Sequence, residues 1–143
     1  MKRNQGFTAI ELVVAITIVL LLVAVAVSSY QDHMVHKHRS QARKGLIEAA
    51  EWLRAQRVTS NTFRVKLAIT QAPIDGDASY RIELVPKDIV AVDPKVTFPA
   101  TSVNEFTLQA IPVDEDECGN LLLDSSGRTG VMGAGAQVAS CWH

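Results

Sequence analysis

The sequence lacks the residue patterns that mark common enzyme families. It contains neither G-x-S-x-G nor H-E-x-x-H, and no nucleophile stands in a pattern that supplies a base. The two cysteines, Cys118 and Cys141, do not have the C-x-x-C spacing of a zinc site. No internal repeat or low-complexity tract occurs. These absences favour a structural or binding role over an enzyme, with no metal and no cofactor.

Proline and charge are both missing from a long stretch near the N-terminus. No proline occurs before Pro73, and Leu12–Val27 contains no charged residue. With its apolar neighbours, this stretch forms a helix long enough to span a hydrocarbon core of about 30 Å. Lys2 and Arg3 precede it, and positive flanks stay in the cytoplasm. We therefore expect the residues after the span to be exported.

Glu11 is the one charged residue within the apolar run. A carboxylate inside a membrane helix costs roughly 2.5 to 3.5 kcal/mol on insertion scales, so such residues are usually functional and paired. If the chain is cut after Gly6, Phe7 gains a positively charged amine, and the amine of a neighbouring molecule could pair with Glu11. In a simpler interpretation, Glu11 reaches the lipid headgroups from its place near the helix end.

The segment K-R-N-Q-G-F-T-A-I-E-L-V-V-A-I resembles the N-terminus of type IV pilin precursors. The resemblance implies that residues 1–6 are a leader, that prepilin peptidase cuts between Gly6 and Phe7, and that Phe7 is then methylated. It also implies that Glu11 is the assembly carboxylate. Residues 7–29 would be a transmembrane helix before assembly and part of the filament core afterwards. The implied partners are other pilin subunits, the prepilin peptidase and the pilus assembly machinery.

An ordinary secretory signal is the competing interpretation of this N-terminus. The tripeptide Ala24-Val25-Ala26 satisfies the A-x-A rule for signal peptidase. The apolar run is longer than the usual 7 to 15 residues of such signals, and Glu11 would serve no purpose in a discarded peptide. A retained membrane helix is therefore favoured.

The remainder of the chain predicts an α+β head over residues 30–143. Apolar residues recur three or four positions apart across residues 30–58, which predicts an amphipathic helix that continues the first one. Residues 59–78 are expected to be a connecting loop, and residues 79–143 a small sheet with a C-terminal loop. The predicted strands are Tyr80–Leu84, Phe106–Ala110 and Leu121–Leu123. Their antiparallel sheet would pack on the apolar stripe of the helical spine.

Export makes a disulfide between Cys118 and Cys141 the favoured state, since periplasmic thiols are oxidised. The bond would contribute about 3 kcal/mol in the chain-entropy picture. Two unpaired buried thiols are the alternative. By resemblance, such a pair near the C-terminus is the disulfide of the pilin C-terminal region, and the ending indicates a small minor pilin.

Three further groups of residues suggest ligand sites but are better explained without ligands. His33, His36 and His38 belong to a basic collar that we expect to be solvated rather than metal-bound. The acidic run Asp114–Glu117 lacks the spacing of a calcium loop and predicts a solvated turn. A glycine-rich stretch fits no phosphate-binding motif and predicts a flexible surface loop; its members are Gly127, Gly130, Gly133 and Gly135.

Charge is divided unevenly along the chain. Ten basic and four acidic residues occur up to Lys66, and four basic and eleven acidic residues follow it. A basic stem and an acidic head can attract each other between stacked molecules. The four later cations favour DNA binding only if they converge, so DNA is a possible but not favoured partner; they are Arg81, Lys87, Lys95 and Arg128.

The hypothesis that follows is a structural subunit of a type IV pilus, with a minor pilin favoured. Such a protein waits in the inner membrane with its head in the periplasm and then joins a surface filament used for adhesion, twitching motility or DNA uptake. Two alternatives remain open: a minor pilin that is a DNA receptor, and a pseudopilin of a type II secretion system, which shares the same N-terminal pattern.

Overall fold

The computed structural model of the chain describes residues 8–143. The described residues fall into two compact units, which meet between Val35 and His36 in the chain. The elements in chain order are α1 (Ala9–Ser60), β1 (Gln71–Ala72), β2 (Tyr80–Leu84), β3 (Ile89–Val90), β4 (Thr97–Phe98), β5 (Thr107–Pro112), β6 (Leu121–Asp124), β7 (Thr129–Val131) and α2 (Val138–Cys141). The second unit, which we call the head, contains the later part of α1 and all seven strands.

The first unit consists, over its described residues, of the first part of α1. Every residue from Ala9 to Val27 is exposed, and this is the one helix within residues 8–143 that is long and apolar enough to cross a membrane. An apolar helix without protein cover requires lipid or other helices around it. The first part of α1 therefore fits the predicted membrane anchor.

Helix α1 ends in a left-handed cap. Asn61 has a φ of 53°, and its backbone N–H donates to the carbonyl oxygen of Arg57 at 2.9 Å. Asparagine tolerates this conformation better than most residues and is common just after a helix. The helix thus ends at Ser60, two residues beyond the predicted end at Val58.

The main sheet has the order β1-β2-β5-β6-β7, and all its neighbouring strands are antiparallel. Strands β3 and β4 form a separate two-stranded ribbon. The three strands predicted from sequence are β2, β5 and β6, which are the centre of the sheet. The four other strands have only two or three residues each, too short to give a period-two signal of their own.

The sheet is covered on both faces, which gives the head two hydrophobic clusters. Leu121 and Leu123 of β6 face α1, whereas Leu122 faces the β3–β4 ribbon and packs with Ala91 and Phe98. All four residues of β6 are buried for this reason. The helix contributes the predicted apolar stripe to the larger cluster: Ala42, Leu46, Ala49, Ala50 and Leu53. The α+β fold with its helical spine is confirmed.

Gly45 allows α1 to lie close to the sheet. A Cβ atom at this position would stand 2.7 Å from Cδ1 of Ile82 and 3.2 Å from Cβ of Ala72. Glycine inside a helix costs about 1 kcal/mol relative to alanine. That cost is offset by the contact it permits between the helix and strands β1 and β2.

Cys118 and Cys141 form the expected disulfide, with their Cα atoms 5.9 Å apart. The loop between them is not the flexible surface loop that its glycines predicted. Gly130 is buried in β7 against the ring of Phe98, and a Cβ on Gly133 would lie 1.9 Å from the carbonyl oxygen of Glu117. Both glycines are required by close packing, which sequence spacing does not reveal.

We expect Gly133→Ala to destabilise the head by about 2 kcal/mol, because its methyl group would displace the backbone in front of Cys118. The measurement is urea unfolding of the detergent-solubilised chain, followed by tryptophan fluorescence. Ala134→Ser is the matched control, since Ala134 is the exposed neighbour. Equal unfolding midpoints for the two variants would contradict the packing described.

Candidate functional site

Gly6 and Phe7, the predicted cleavage pair, lie outside the described residues. Just after them, Thr8 caps the start of α1: its Oγ1 accepts from the backbone N–H of Glu11 at 3.4 Å. Glu11 lies in the first helical turn, where its negative charge also interacts favourably with the helix dipole. Within residues 8–143, no hydrogen bond or ion pair of the structure involves the Glu11 carboxylate. Its role in assembly stays a prediction.

The head has two ends, which the strand register defines. In the β2–β5 pair, Tyr80 lies opposite Pro112 at one end and Leu84 lies opposite Leu108 at the other. We call the Tyr80–Pro112 side the near end and the Leu84–Leu108 side the far end. The acidic run Asp114–Glu117 follows β5 and so belongs to the near end. The turn between β1 and β2 adds two more exposed carboxylates there, Asp75 and Asp77.

A buried ion pair at the near end joins the helix to the acidic run. Arg39 Nε donates to both carboxylate oxygens of Asp116 at 2.9 Å, and its Nη2 lies 2.7 Å from Oδ1. The Tyr80 hydroxyl donates to Oδ2 at 2.5 Å, and the Cys118 N–H donates to Oδ1 at 2.7 Å. The carboxylate therefore ties together the helix, β2 and the disulfide loop.

The pKa values of this cluster follow from its contacts. Burial opposes ionisation of Asp116, but the hydrogen bonds from Arg39, Tyr80 and Cys118 outweigh it and hold the pKa of the carboxyl below its usual range. Burial, followed by the bond to Asp116, raises the pKa of Tyr80. At physiological pH, Tyr80 is therefore neutral, and Arg39 and Asp116 are both charged.

The Arg39–Asp116 pair also changes the interpretation of the charge division along the chain. Attraction between a basic stem and an acidic head was expected between molecules, yet this pair forms within one head. The solvated turn predicted for the acidic run is confirmed for Asp114, Glu115 and Glu117, which are exposed, and wrong for Asp116, whose carboxylate is buried in the ion pair. The sequence could not place residue 39 beside residue 116, because their contact depends on how the helix lies on the sheet.

The far end carries several cations beside the exposed carboxylates of Asp88 and Glu105. Arg57, in the last turns of α1, donates to the carbonyl oxygen of Asn104 at 2.8 Å and lies 4.6 Å from the Phe63 ring centroid. Arg54 donates to the carbonyl oxygen of Ser125 at 3.4 Å and faces Phe106. These two arginines are used to hold loops against the helix end. Their charges nevertheless remain at the surface.

Residues 63–70 belong to the connection between α1 and β1, which contains no strand and turns at Arg64, where the Val65 N–H donates to the Phe63 carbonyl oxygen at 2.9 Å. Its side chains alternate: those at positions 63, 65, 67 and 69 pack against the main cluster, and those at positions 64, 66, 68 and 70 are exposed. Arg64 and Lys66, which we call the basic strip, are therefore both exposed, two positions apart. Phe63 packs edge-on against Phe106, which places the strip toward the far end. The alternation F-R-V-K-L-A-I-T is the signal that could have found it.

The four later cations do not converge. Arg81 pairs in register with Ile111, toward the near end, whereas Lys87 follows β2 at the far end. Arg128 donates to Asp124 at 2.6 Å, so its charge is largely compensated. Lys95 belongs to the connection between β3 and β4. DNA binding by these four residues required that they converge, and they do not. The sequence analysis considered only these four cations and so overlooked the basic strip.

Among residues 8–143, no group of three or more potential metal ligands has a geometry that could hold an ion. That range includes the three histidines of the basic collar and the acidic run.

Comparison with protein families explains the combination of an apolar N-terminal helix and a disulfide-bonded head. Residues 1–27 match the model of the prokaryotic N-terminal methylation motif. Residues 28–122 match the model of the family described as type IV minor pilin ComP, DNA uptake sequence receptor. The chain belongs to this minor pilin family. No curated protein matches it.

Family membership confirms the type IV pilin resemblance and the preference for a minor pilin. As a minor pilin, the protein is anchored through its apolar helix and assembles with other pilins through the pilus machinery. The roles of Gly6, Phe7 and Glu11 stay predictions, as do the boundaries of the leader and the membrane segment.

We expect the minor pilin to lose stability below about pH 4. The folded-state pKa values of Asp116 and Asp124 are lowered, so their contribution is complete above the unfolded pKa of about 3.9 and is lost as the pH falls through the folded values. Urea unfolding between pH 7 and pH 3 measures the loss. Asp116→Asn should flatten this dependence, whereas Asp114→Asn, at an exposed position, should not. If the free energy of unfolding of Asp116→Asn depends on pH as steeply as that of the wild type, Asp116 is not a source of the acid sensitivity.

Proposed function

We propose that this minor pilin is cleaved between Gly6 and Phe7, joins the filament through Glu11, and binds duplex DNA at the far end of its head. The head lies in the periplasm before assembly and on the cell surface afterwards. The proposed role is structural and binding, with no catalytic step. The proposal for filament assembly rests on the N-terminal segment, and the proposal for DNA binding rests on the head.

The assembly proposal is supported by the environment of Glu11. Its carboxylate belongs to an exposed apolar helix that matches the N-terminal methylation motif. A new amine at Phe7 of one subunit would supply the charge that compensates Glu11 of another, which matters most where water is absent. The Thr8 cap gives Glu11 a second possible use within its own helix, and the experiment below separates the two.

The DNA proposal is carried by the basic strip. Arg64 and Lys66 are exposed, stand two positions apart where buried and exposed side chains alternate, and make no ion pair within the described part of the chain. Arg54 and Arg57 add positive charge at the helix end, and Lys87 adds one more after β2. The acidic run is at the opposite end of the sheet. A head whose total charge is unfavourable can therefore still present a local positive surface to phosphates.

The family description supports the same conclusion, since it names a DNA uptake sequence receptor. Phosphate contacts of this kind position a protein on DNA without reading its sequence. The loops that Arg54 and Arg57 hold, around Asn104 and Ser125, border the same end. Those loops are the neighbouring surfaces that could contact base edges.

For DNA binding, we expect Arg64→Gln and Lys66→Gln to weaken binding of duplex DNA by the full-length protein in detergent. Each should lower the slope of log affinity against log salt by about 1, because each removes one phosphate contact. Fluorescence anisotropy with a labelled duplex, at salt concentrations from about 50 to about 200 mM, gives both the affinity and the salt slope.

Arg81→Gln is the matched control for this measurement. It removes the same charge from an exposed strand position toward the near end. We expect its affinity and salt slope to equal those of the wild type. If Arg81→Gln weakens binding as much as Arg64→Gln, attraction is general and the basic strip is not the site.

For assembly, we expect Glu11→Gln and Glu11→Val to reduce incorporation into sheared filaments by at least about tenfold, because both remove the charge that pairs with the amine. Glutamine can still complete a helix cap, whereas valine cannot. Equal defects therefore indicate that the charge matters. Quantitative immunoblotting of sheared pili against the membrane fraction provides the measurement.

Thr8→Ala is the companion variant, since it removes the cap and retains the Glu11 charge. Its incorporation should stay near that of the wild type. Intact mass must show each variant starting at methylated Phe7, so that any loss arises after cleavage. Normal incorporation of Glu11→Gln would overturn the proposed pairing.

A further inference from the structure

The backbone in front of Cys118 is held in place by bonds that do not involve sulfur. Asp116 accepts from the Cys118 N–H at 2.7 Å, and the same carboxylate is fixed by Arg39 and Tyr80. The Cys118 carbonyl oxygen accepts from the N–H of Gly133 at 2.9 Å. This segment is therefore attached to the helix, to β2 and to the chain that follows β7.

The backbone around Cys141 is held in an equivalent way. The first residue of α2, Val138, donates its N–H to Asp93 Oδ2 at 2.6 Å. Trp142 donates its indole N–H to the Gly130 carbonyl oxygen at 3.2 Å. Asp93 itself pairs through its backbone with Val131 of β7. Both cysteines are thus anchored around the same strand, each with the help of one aspartate.

We propose that Asp93 and Asp116 are positioning residues for oxidation of the cysteine pair. In the reduced head they would hold the two thiols within reach of each other, so that the disulfide closes a contact that already exists. The head would then fold before the bond forms and stay folded when the bond is reduced. This differs from the usual picture of a small head that depends on its disulfide to fold.

The oxidation step requires a disulfide oxidant, for which oxidised glutathione is the laboratory equivalent. One cysteine thiolate attacks the oxidant disulfide, forms a mixed disulfide and releases one thiol. The second cysteine thiolate attacks the mixed disulfide, forms Cys118–Cys141 and releases the second thiol. Two electrons pass to the oxidant, and the two protons of the cysteines end on the released thiols.

Access to the oxidant fits the same geometry. Both cysteines are only 2% exposed in the folded head, so one of them must become accessible for the first attack. Cys141 is the better candidate, because α2 has four residues and its Ala139 and Ser140 are exposed. The Asp93–Val138 bond would return α2 to its place for the second attack.

The test measures the effective concentration of the two thiols in the full-length protein in detergent. The protein is equilibrated with reduced and oxidised glutathione, trapped by alkylation and quantified by mass. We expect Asp116→Asn and Asp93→Asn each to lower the effective concentration by about tenfold, since each weakens a hydrogen bond to a charged group. Asp114→Asn should leave it unchanged.

A merely structural role for the aspartates gives a different result. It would lower the stability of the oxidised protein and of a Cys118→Ser/Cys141→Ser protein equally, and leave the effective concentration of the folded thiols unmoved. That result would overturn the proposal. The serine double variant must also retain a cooperative urea transition. Its loss would show that the reduced head does not fold, which would overturn the proposal as well.

Discussion

The close contact between α1 and the sheet is the constraint on which the rest of the head depends. It exists because the helix presents small side chains where the strands pass, with Gly45 against Ile82 and alanines beside it. The contact also fixes the orientation of two arginines at opposite ends of the helix segment. Arg39 meets Asp116 at the near end, and Arg57 meets Asn104 at the far end. Packing of apolar surface thereby sets the electrostatics of the molecule.

The separation of charge within the head follows from antiparallel topology. Connections alternate between the two ends of an antiparallel sheet, so residues far apart in sequence gather at one end and neighbours are divided. The acidic run is placed at the near end, where Arg39 neutralises Asp116. The basic strip is placed toward the far end. A chain with net charge −1 thus keeps the basic strip apart from its acidic run.

Sequence reasoning succeeded where one local pattern determines one structure. The apolar run, the order of Gly6, Phe7 and Glu11, and the long alternating strands indicated a pilin with an α+β head, and family membership confirmed it. It treated residues 63–70 as a connection, which contains no strand, but it did not recognise the alternation of buried and exposed side chains there. It also failed at Gly130 and Gly133, since glycine signals flexibility in sequence but close packing in this fold.

By itself, the sequence determined the membrane helix, the spine, the central strands and the pair of cysteines, because hydrophobic periodicity and residue type are local properties. Only the tertiary structure decided which charges meet and which remain free. It paired Arg39 with Asp116, assigned Arg54 and Arg57 to loops, kept Arg81 apart from Lys87 and left the basic strip exposed. Those outcomes depend on contacts between residues distant in the chain, and electrostatic energy depends on distance in space rather than on position in the sequence.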